Sequence, residues 1–425
     1  MKNDTERIVL EYIKRLNSLT VLRDMLNDDV FKSLLSAFAA IANGDPITAE
    51  KASHKFVHKL ITENPRRVSG NLFADHIIAG IVEKENRFSA DAASGISDPL
   101  IFSLMMSDID ALLDAAKLSA SDLQGYIRGI HTSSNDRISA LSSAVWGGNS
   151  IDTDSVGSHD VLSHLEYHVR DWVYDDADMN RVYPCENDLS ELYDVILSSD
   201  ASEITDALWH FFNTVGTGIF IKNRLFASDE SHTFMPISEP LPEQNLLPFM
   251  YHEEHDRLAE LAVAFANGEN VSNTVLLGAS GSGKTTMLNS LTEVESDLRF
   301  IFVSGYSLPD FTEIFEMMRK QPLRFAIILD DLQACGDISR FFGHLMKPEN
   351  VVFFAATSDE AQAEAFDSVI KLVPPDIAGL TKYICDISFS DESAESVKNA
   401  CMDYQIETKK PLSYGAVKEI LQKLS

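Results

Sequence analysis

The run Gly278-Ala279-Ser280-Gly281-Ser282-Gly283-Lys284-Thr285-Thr286 fits the pattern G-x-x-x-x-G-K-[ST] throughout. Residue types at this spacing hold a phosphate chain. The glycines let the backbone turn so that N–H groups point inward, and a helix beginning here adds unpaired N–H groups and partial positive charge. Lys284 brings a mobile ammonium that can reach phosphate oxygens, and the Thr285 hydroxyl is an oxygen ligand suited to Mg²⁺. An apolar run, Thr274-Val-Leu-Leu277, precedes the pattern, and Met287–Leu291 follows with helical character. Strand, loop and helix are the setting that such a cradle needs.

A second set of oxygens follows about 46 residues later. Arg324-Phe-Ala-Ile-Ile-Leu-Asp330-Asp331 is an apolar strand ending in two carboxylates. In an open α/β sheet, ligands bind at the carboxyl ends of strands. Asp330 is then placed to hold Mg²⁺, and Asp331 to polarise an attacking water, although aspartate is one methylene shorter than the glutamate usual there. Read alone, the same residues would serve as an acidic cap on the next helix. A third strand, Val351–Ala356, ends in Thr357-Ser358-Asp359. Thr357 or Ser358 could contact a terminal phosphate or cap the following helix, and the two roles are compatible.

The elements that must position these groups are visible as a change of pattern. Residues 1 to about 220 read as helical. Ile8, Tyr12, Ile13, Leu16 and Leu19 recur at helical spacing, as do Val30, Leu34, Leu35, Phe38 and Ile41, with Gly44-Asp45-Pro46 as a stop. Further helices are expected over 54–62, 73–82, 100–115, 137–145, 161–173 and 202–215, with a loop over 146–158. Trp209, Phe211 and Phe212 read as core. The Pro- and Ser-rich stretch 226–247 reads as a linker. Beyond it, apolar strands at 275–277, 300–303, 325–329 and 351–356 alternate with helices at 285–292, 309–319 and 338–346. That alternation predicts a parallel sheet covered on both faces. Helices over 392–404 and 414–424 close the chain. The division expected is a helical region 1–225, a linker 226–247, a P-loop α/β core 248–390 and a helical lid 391–425.

The chain has 425 residues, 45% apolar and 24% charged, within the ordinary range for a soluble globular protein. No apolar run reaches membrane-spanning length, and the N-terminal residues are charged and amphipathic instead of leader-like. Cys185, Cys335, Cys385 and Cys401 are scattered, which reads as reduced thiols in a cytoplasmic protein. The net charge of −30, with no basic patch beyond Arg66-Arg67 and Lys409-Lys410, argues against nucleic acid as partner. His159, His164 and His168 share a segment, and His252 and His255 share another, but neither completes a metal-binding pattern. Phe249, Met250 and Tyr251 could pack on a nucleotide base or simply anchor the linker.

From about residue 245 onward the chain resembles a bacterial AAA+ family of predicted ATPases, domain of unknown function 815. The likeness is carried by Met250-Tyr-His-Glu-Glu254, Asn273-Thr-Val-Leu-Leu-Gly278, Arg324-Phe-Ala-Ile-Ile-Leu-Asp-Asp-Leu332 and Asn350-Val-Val-Phe-Phe-Ala-Ala-Thr-Ser358. A weaker likeness lies at Asn86-Arg-Phe-Ser-Ala-Asp91. The resemblance implies an AAA+-like fold, ATP and Mg²⁺ as ligands, and a sensor role for Thr357 or Ser358. Two departures bear on activity. The family often carries Asp-Arg-Phe before its fifth strand, with the arginine a candidate finger for a neighbouring subunit. The matching place here reads as Thr381-Lys382-Tyr383 before a strand over 384–389, which leaves Lys382 as the cation. No arginine occurs after Arg340, so the lid arginine is absent as well. Lysine lacks the planar fork that grips phosphate. Strong nucleotide binding with slow or partner-dependent hydrolysis is therefore expected. The alternatives are a nucleotide-gated binding module with negligible turnover and, less favoured, a loader of nucleic acid.

Overall fold

The computed structural model describes residues 2–130, 172–173, 184–228, 234–237, 251–294, 296–304, 311–332, 338, 342, 346–387, 394–409 and 412–424. The chain divides into two compact units, Met1–Asn213 and Thr214–Ser425.

The first unit is helical. Helices Lys2–Asn17, Asp29–Asn43, Pro46–Glu63, Leu72–Glu83, Arg87–Ala93, Pro99–Ala116, Glu186–Ser198 and Ala201–Val215 contain the expected stretches 54–62, 73–82, 100–115 and 202–215. Their starts are written in side chains that satisfy otherwise unpaired N–H groups. Asp28 accepts from Phe31, Asp45 from Thr48, Asn71 from Phe73 and Ala74, and Asp98 from Leu100. Gly44, at φ +72°, closes the second helix in the left-handed region that glycine adopts most readily. Asp108, almost fully buried, accepts the N–H groups of Thr20, Val21 and Leu22 and so fixes the turn after the first helix. The expected helix 137–145, the loop 146–158 and most of 161–173 lie outside the described residues. Trp172 and Val173 are not helical, and Val173 bridges Asn71 in antiparallel fashion.

The second unit is built on a seven-stranded sheet of order β2-β1-β4-β5-β6-β3-β7. The strands are β1 Leu225–Ser228, β2 Phe234–Pro236, β3 Thr274–Gly278, β4 Arg299–Ser304, β5 Phe325–Asp330, β6 Val351–Thr357 and β7 Ser368–Leu372. All neighbours are parallel except β1 and β2. Successive residues of each central strand go to opposite cores. Val275, Ile327, Leu329 and Phe353 bury on one face with Phe311 and Phe315, while Leu276, Ala326, Ile328 and Phe354 bury on the other with Leu258, Phe265 and Leu288. Burial on both faces is why these strands read as continuous apolar runs.

Three expectations need correction. The stretch read as a linker contributes two strands: β1 extends the sheet beside β4, and β2 pairs with β1. Phe226 is fully buried there, so an apolar anchor outweighs the turn-forming composition around it. The segment 384–389, read as a strand, begins inside helix Ile377–Ile387, where Leu380, Tyr383 and Ile384 bury on one helical face. The strand that flanks the P-loop strand is β7, which sequence reasoning missed. Lys382 therefore lies exposed in a helix and precedes no strand. The remaining helices, Ala394–Thr408 and Val417–Leu424, pack with Ile377–Ile387 around a third core of Leu380, Tyr404 and Ile420.

Candidate functional site

Parallel register places the chemistry-bearing residues along one edge of the sheet. Leu277 is level with Thr357, Gly278 with Leu372, and Ser304 with Asp330. The carboxyl ends of β3, β5 and β6 thus deliver the glycine-rich loop, the paired carboxylates and the polar strand end to the same side, the side on which open parallel sheets bind ligands.

The loop after β3 turns through Gly281 at φ +76° and Gly283 at φ +92°, both in the region that favours glycine. Gly278 is held by close approach: a Cβ there would meet the Ser282 hydroxyl at 2.8 Å and the Leu372 Cβ at 3.0 Å. The helix Lys284–Ser290 starts at once, and it is anchored by buried Met287 and Leu288. Lys284 Nζ folds back over the loop and donates to the carbonyls of Gly278 at 2.9 Å and Ala279 at 3.0 Å. Burial lowers the pKa of its ammonium, while Asp330 and Asp331 oppose that shift. The Ser282 hydroxyl is buried and has no hydrogen-bond partner among the described residues. Ala279 is half-buried, Ser280 is exposed, and Thr286 is half-buried in the first turn of the helix.

The two oxygen-bearing elements meet directly. Thr285 Oγ1 donates to Asp330 Oδ2 at 2.8 Å, across 45 residues of sequence. Asp331 takes φ +55°, a conformation that aspartate tolerates better than most residues, and its N–H donates to Asp330 Oδ1 at 2.9 Å. Asp330 therefore faces the helix start, and Asp331 is exposed. Thr357 is fully buried at the end of β6, where its hydroxyl donates to Gln362 Oε1 at 2.8 Å and accepts from the Asp359 N–H at 3.1 Å. Gln362 Nε2 in turn donates to the Leu332 carbonyl at 2.8 Å, tying the end of β6 to the residue just after the carboxylate pair. Ser358 is exposed, and Asp359 caps the short helix Glu360–Ala363. Gln362 was not foreseen, since a lone glutamine five residues past a strand carries no sequence signal.

The C-terminal helical segment touches the loop. The Gly415 N–H donates to the Gly281 carbonyl at 2.8 Å, and a Cβ on Gly415 would sit 3.1 Å from Gly281 Cα. Beside this contact, Tyr414 packs edge-on against Tyr251 at 5.1 Å and Tyr383 at 4.7 Å. Tyr251 has φ +48°, opens helix His252–Ala266, and donates its hydroxyl to the Val373 carbonyl at 3.0 Å. Burial, with smaller contributions from Tyr414 and Glu254, pushes the Tyr251 phenol well above its ordinary pKa. Tyr251 therefore sits at the junction of sheet and lid. Phe249, Met250, His159, His164 and His168 lie outside the described residues. Among the described residues no cluster of His, Cys, Asp or Glu has the makings of a metal centre of its own. No helix among them is long and apolar enough to cross a membrane.

One protein family and several solved structures resemble parts of this chain. Residues 222–341 match the family described as Protein of unknown function (DUF815). The matched stretch opens just upstream of β1, runs through β5 and so carries the glycine-rich loop and the paired carboxylates. No curated protein matches the chain. Among solved structures, the Thermotoga maritima RuvB Holliday junction branch migration motor is 16% identical at TM-score 0.28, over 41% of this chain and 70% of that one. The Aeropyrum pernix ORC1 protein, solved in complex with DNA, is 17% identical at TM-score 0.31, over 42% of this chain and 60% of its own. The Escherichia coli MS115-1 HORMA:CdnC:Trip13 complex is 12% identical at TM-score 0.29, over 44% and 91%. TM-scores this low carry no argument, and the fold is read from the chain's own strand order and loop.

Proposed function

We propose that this protein binds ATP with Mg²⁺ at the P-loop and hydrolyses it slowly or only with a partner, coupling nucleotide state to a protein partner through the helical unit. The observation that carries the reading is the 2.8 Å hydrogen bond between Thr285 and Asp330. It gathers two hard oxygen donors beside a positively charged loop, the donor set that Mg²⁺ prefers. The buried, unpartnered Ser282 hydroxyl within that loop also fits a site meant for polar oxygens. When bound, Mg²⁺ would neutralise phosphate charge; Thr285 and Asp330 are the residues to hold it. Gly278, Ala279, Ser280, Gly281, Ser282, Gly283 and Thr286 would cradle the phosphates, with Lys284 as the point charge. Tyr251 would flank the base. Asp331 would orient water, and Thr357 or Ser358 would report on the terminal phosphate.

Slow turnover is favoured over fast because no arginine is available late in the chain to stabilise transferred charge. A nucleotide-gated module without hydrolysis is the second reading, and the same absence favours it. The net charge of −30 keeps a nucleic-acid loader third. Titration with ATP and Mg²⁺, followed by mass measurement of the assembly, tests the first reading. Saturable binding with slow phosphate release supports it, and binding without release moves the case to the second. Absence of binding overturns both.

A further inference from the structure

The helical unit carries an apolar groove that its own core does not need. Pro99, Phe102 and Met106 of helix Pro99–Ala116 and Trp209 of helix Ala201–Val215 line a cleft of about 520 Å³, with Asp206 and His210 at its rim. Sequence reasoning placed Trp209 in the core with Phe211 and Phe212. Those two phenylalanines are buried, but Trp209 is only half-buried and its indole N–H donates to the Ile96 carbonyl at 3.3 Å. Around the cleft, Ile96 is 52%, Leu100 64% and Met106 37% exposed. Contiguous exposed apolar side chains around a cleft mark a binding surface more often than scattered ones do.

The exposed charges that line or adjoin the cleft on helix Ala201–Val215 are acidic. Asp206 lines it and Glu203 lies one turn before Asp206, both exposed, while Asp110, one turn beyond Met106, already faces the Arg15 guanidinium at 3.8 Å. Neither helix contains a lysine or arginine within its bounds. An anionic lipid surface or an acidic segment would be repelled here. A segment presenting an apolar anchor flanked by cations would meet both features of the surface.

We propose that this groove docks a short amphipathic, cationic segment of a partner protein, an apolar side chain seating among Phe102, Met106 and Trp209 and its Lys or Arg side chains lying beside Asp206 and Glu203. This deepens the partner-coupling part of the reading above by naming the surface and the chemistry of the partner. It is tested without nucleotide, so its failure leaves the P-loop reading untouched, and a failed ATP titration leaves this one untouched.

The experiment uses the full chain and a fluorescent Leu/Ala/Lys helical peptide of about five turns, lacking tryptophan, against the same peptide with Glu at every Lys. Because the whole chain is acidic, site-directed controls decide the outcome. The Lys peptide should bind at least about tenfold tighter than the Glu peptide, with an affinity that falls as salt rises. Leu100→Ser with Met106→Ser should weaken binding by about tenfold or more, and Asp206→Asn with Glu203→Gln by roughly three- to tenfold. Glu313→Gln with Glu316→Gln, two exposed acids of the other unit, should leave it unchanged. All of these positions are on the surface, and circular dichroism confirms folding. Photo-crosslinks from the peptide should map to 96–110 and 203–210. The proposal is overturned if the groove variants bind as the parent does, or if the distant acids matter equally. Crosslinks elsewhere overturn it too, as does a groove filled by another segment of this chain or by a second copy of it.

Discussion

Lys284→Ala is the sharpest perturbation of the P-loop reading. In the structure the ammonium donates two hydrogen bonds, to the carbonyls of Gly278 and Ala279. Phosphate oxygens would compete for those protons, so the gain on binding is a difference. Two charge-assisted bonds to phosphate are worth about 3–6 kcal/mol, and exchanging the carbonyl bonds returns about 1–2 kcal/mol of that. The net loss expected for the variant is about 2–4 kcal/mol, roughly 30- to 1,000-fold in Kd. Calorimetric titration with ATP and Mg²⁺ near neutral pH reads the change, and a thermal melt shows that the fold persists. A Kd within about threefold of the parent, in a folded variant, would refute the site outright. The pH dependence has a definite sign. Burial lowers the Lys284 pKa, so its charge is lost at a lower pH than that of an ordinary lysine. Affinity in the parent should therefore weaken as pH rises through that lowered value, and Lys284→Ala should remove this alkaline limb.

Other consequences can be checked as directly. Thr285→Val keeps the shape but removes the hydroxyl that meets Asp330, and it should reduce Mg²⁺-dependent ATP affinity by about tenfold while leaving Mg²⁺-free binding nearly unchanged in calorimetry. Gly415→Ala would place a Cβ 3.1 Å from Gly281 Cα, backbone against backbone, so the lid must shift; hydrogen exchange should quicken at 413–416 and 278–283. In the helical unit, burial pushes the Asp28 carboxyl up. Hydrogen bonds from His76 and the Phe31 N–H, with Lys84 nearby, outweigh it and hold the pKa below the ordinary value. That stabilisation is present above the unfolded-state pKa of about 4 and is lost as pH falls through the depressed one. Asp28→Asn should flatten the acid limb of the melting curve, read by circular dichroism.

Much of this was legible in the chain because it rested on local pattern. The loop, the carboxylate pair and four central strands announce themselves, since a strand buried on both faces is a continuous apolar run. What stayed hidden rested on tertiary context. β1 is four residues and β2 three, and they are strands because they pair with each other and with β4. β7 is a short edge strand that buries only Ile370 and Leu372, and nothing distinguishes Ser368–Leu372 from a loop until β3 supplies its partner. The contact of Gly415 with Gly281 spans the whole core, and no spacing rule reaches that far. Trp209 reads as core because its helix is amphipathic, yet it falls at the margin of the apolar stripe.

The relocation of the flanking strand sharpens the question of turnover. Resemblance to the family places a candidate arginine just before this strand. With the strand at 384–389, Lys382 stood nearby as a substitute cation. With the strand at β7, the residues before it are Phe366 and Asp367, and the position offers an anion. A neighbouring copy docked through that end of the sheet would bring a carboxylate toward the phosphates, which opposes the charge developing in phosphoryl transfer. Self-assembly should therefore not accelerate hydrolysis. Specific activity measured over a hundredfold range of protein concentration, roughly, should stay flat within about twofold. Lys382→Ala, on an exposed helix position, should leave it unchanged. A steep rise with concentration, abolished by Lys382→Ala, would show that a neighbour's lysine completes the site and that the strand placement misleads. A flat profile leaves a cation from a different protein as the remaining source of acceleration, and a lysine- or arginine-bearing partner is also what the acidic groove of the helical unit would select.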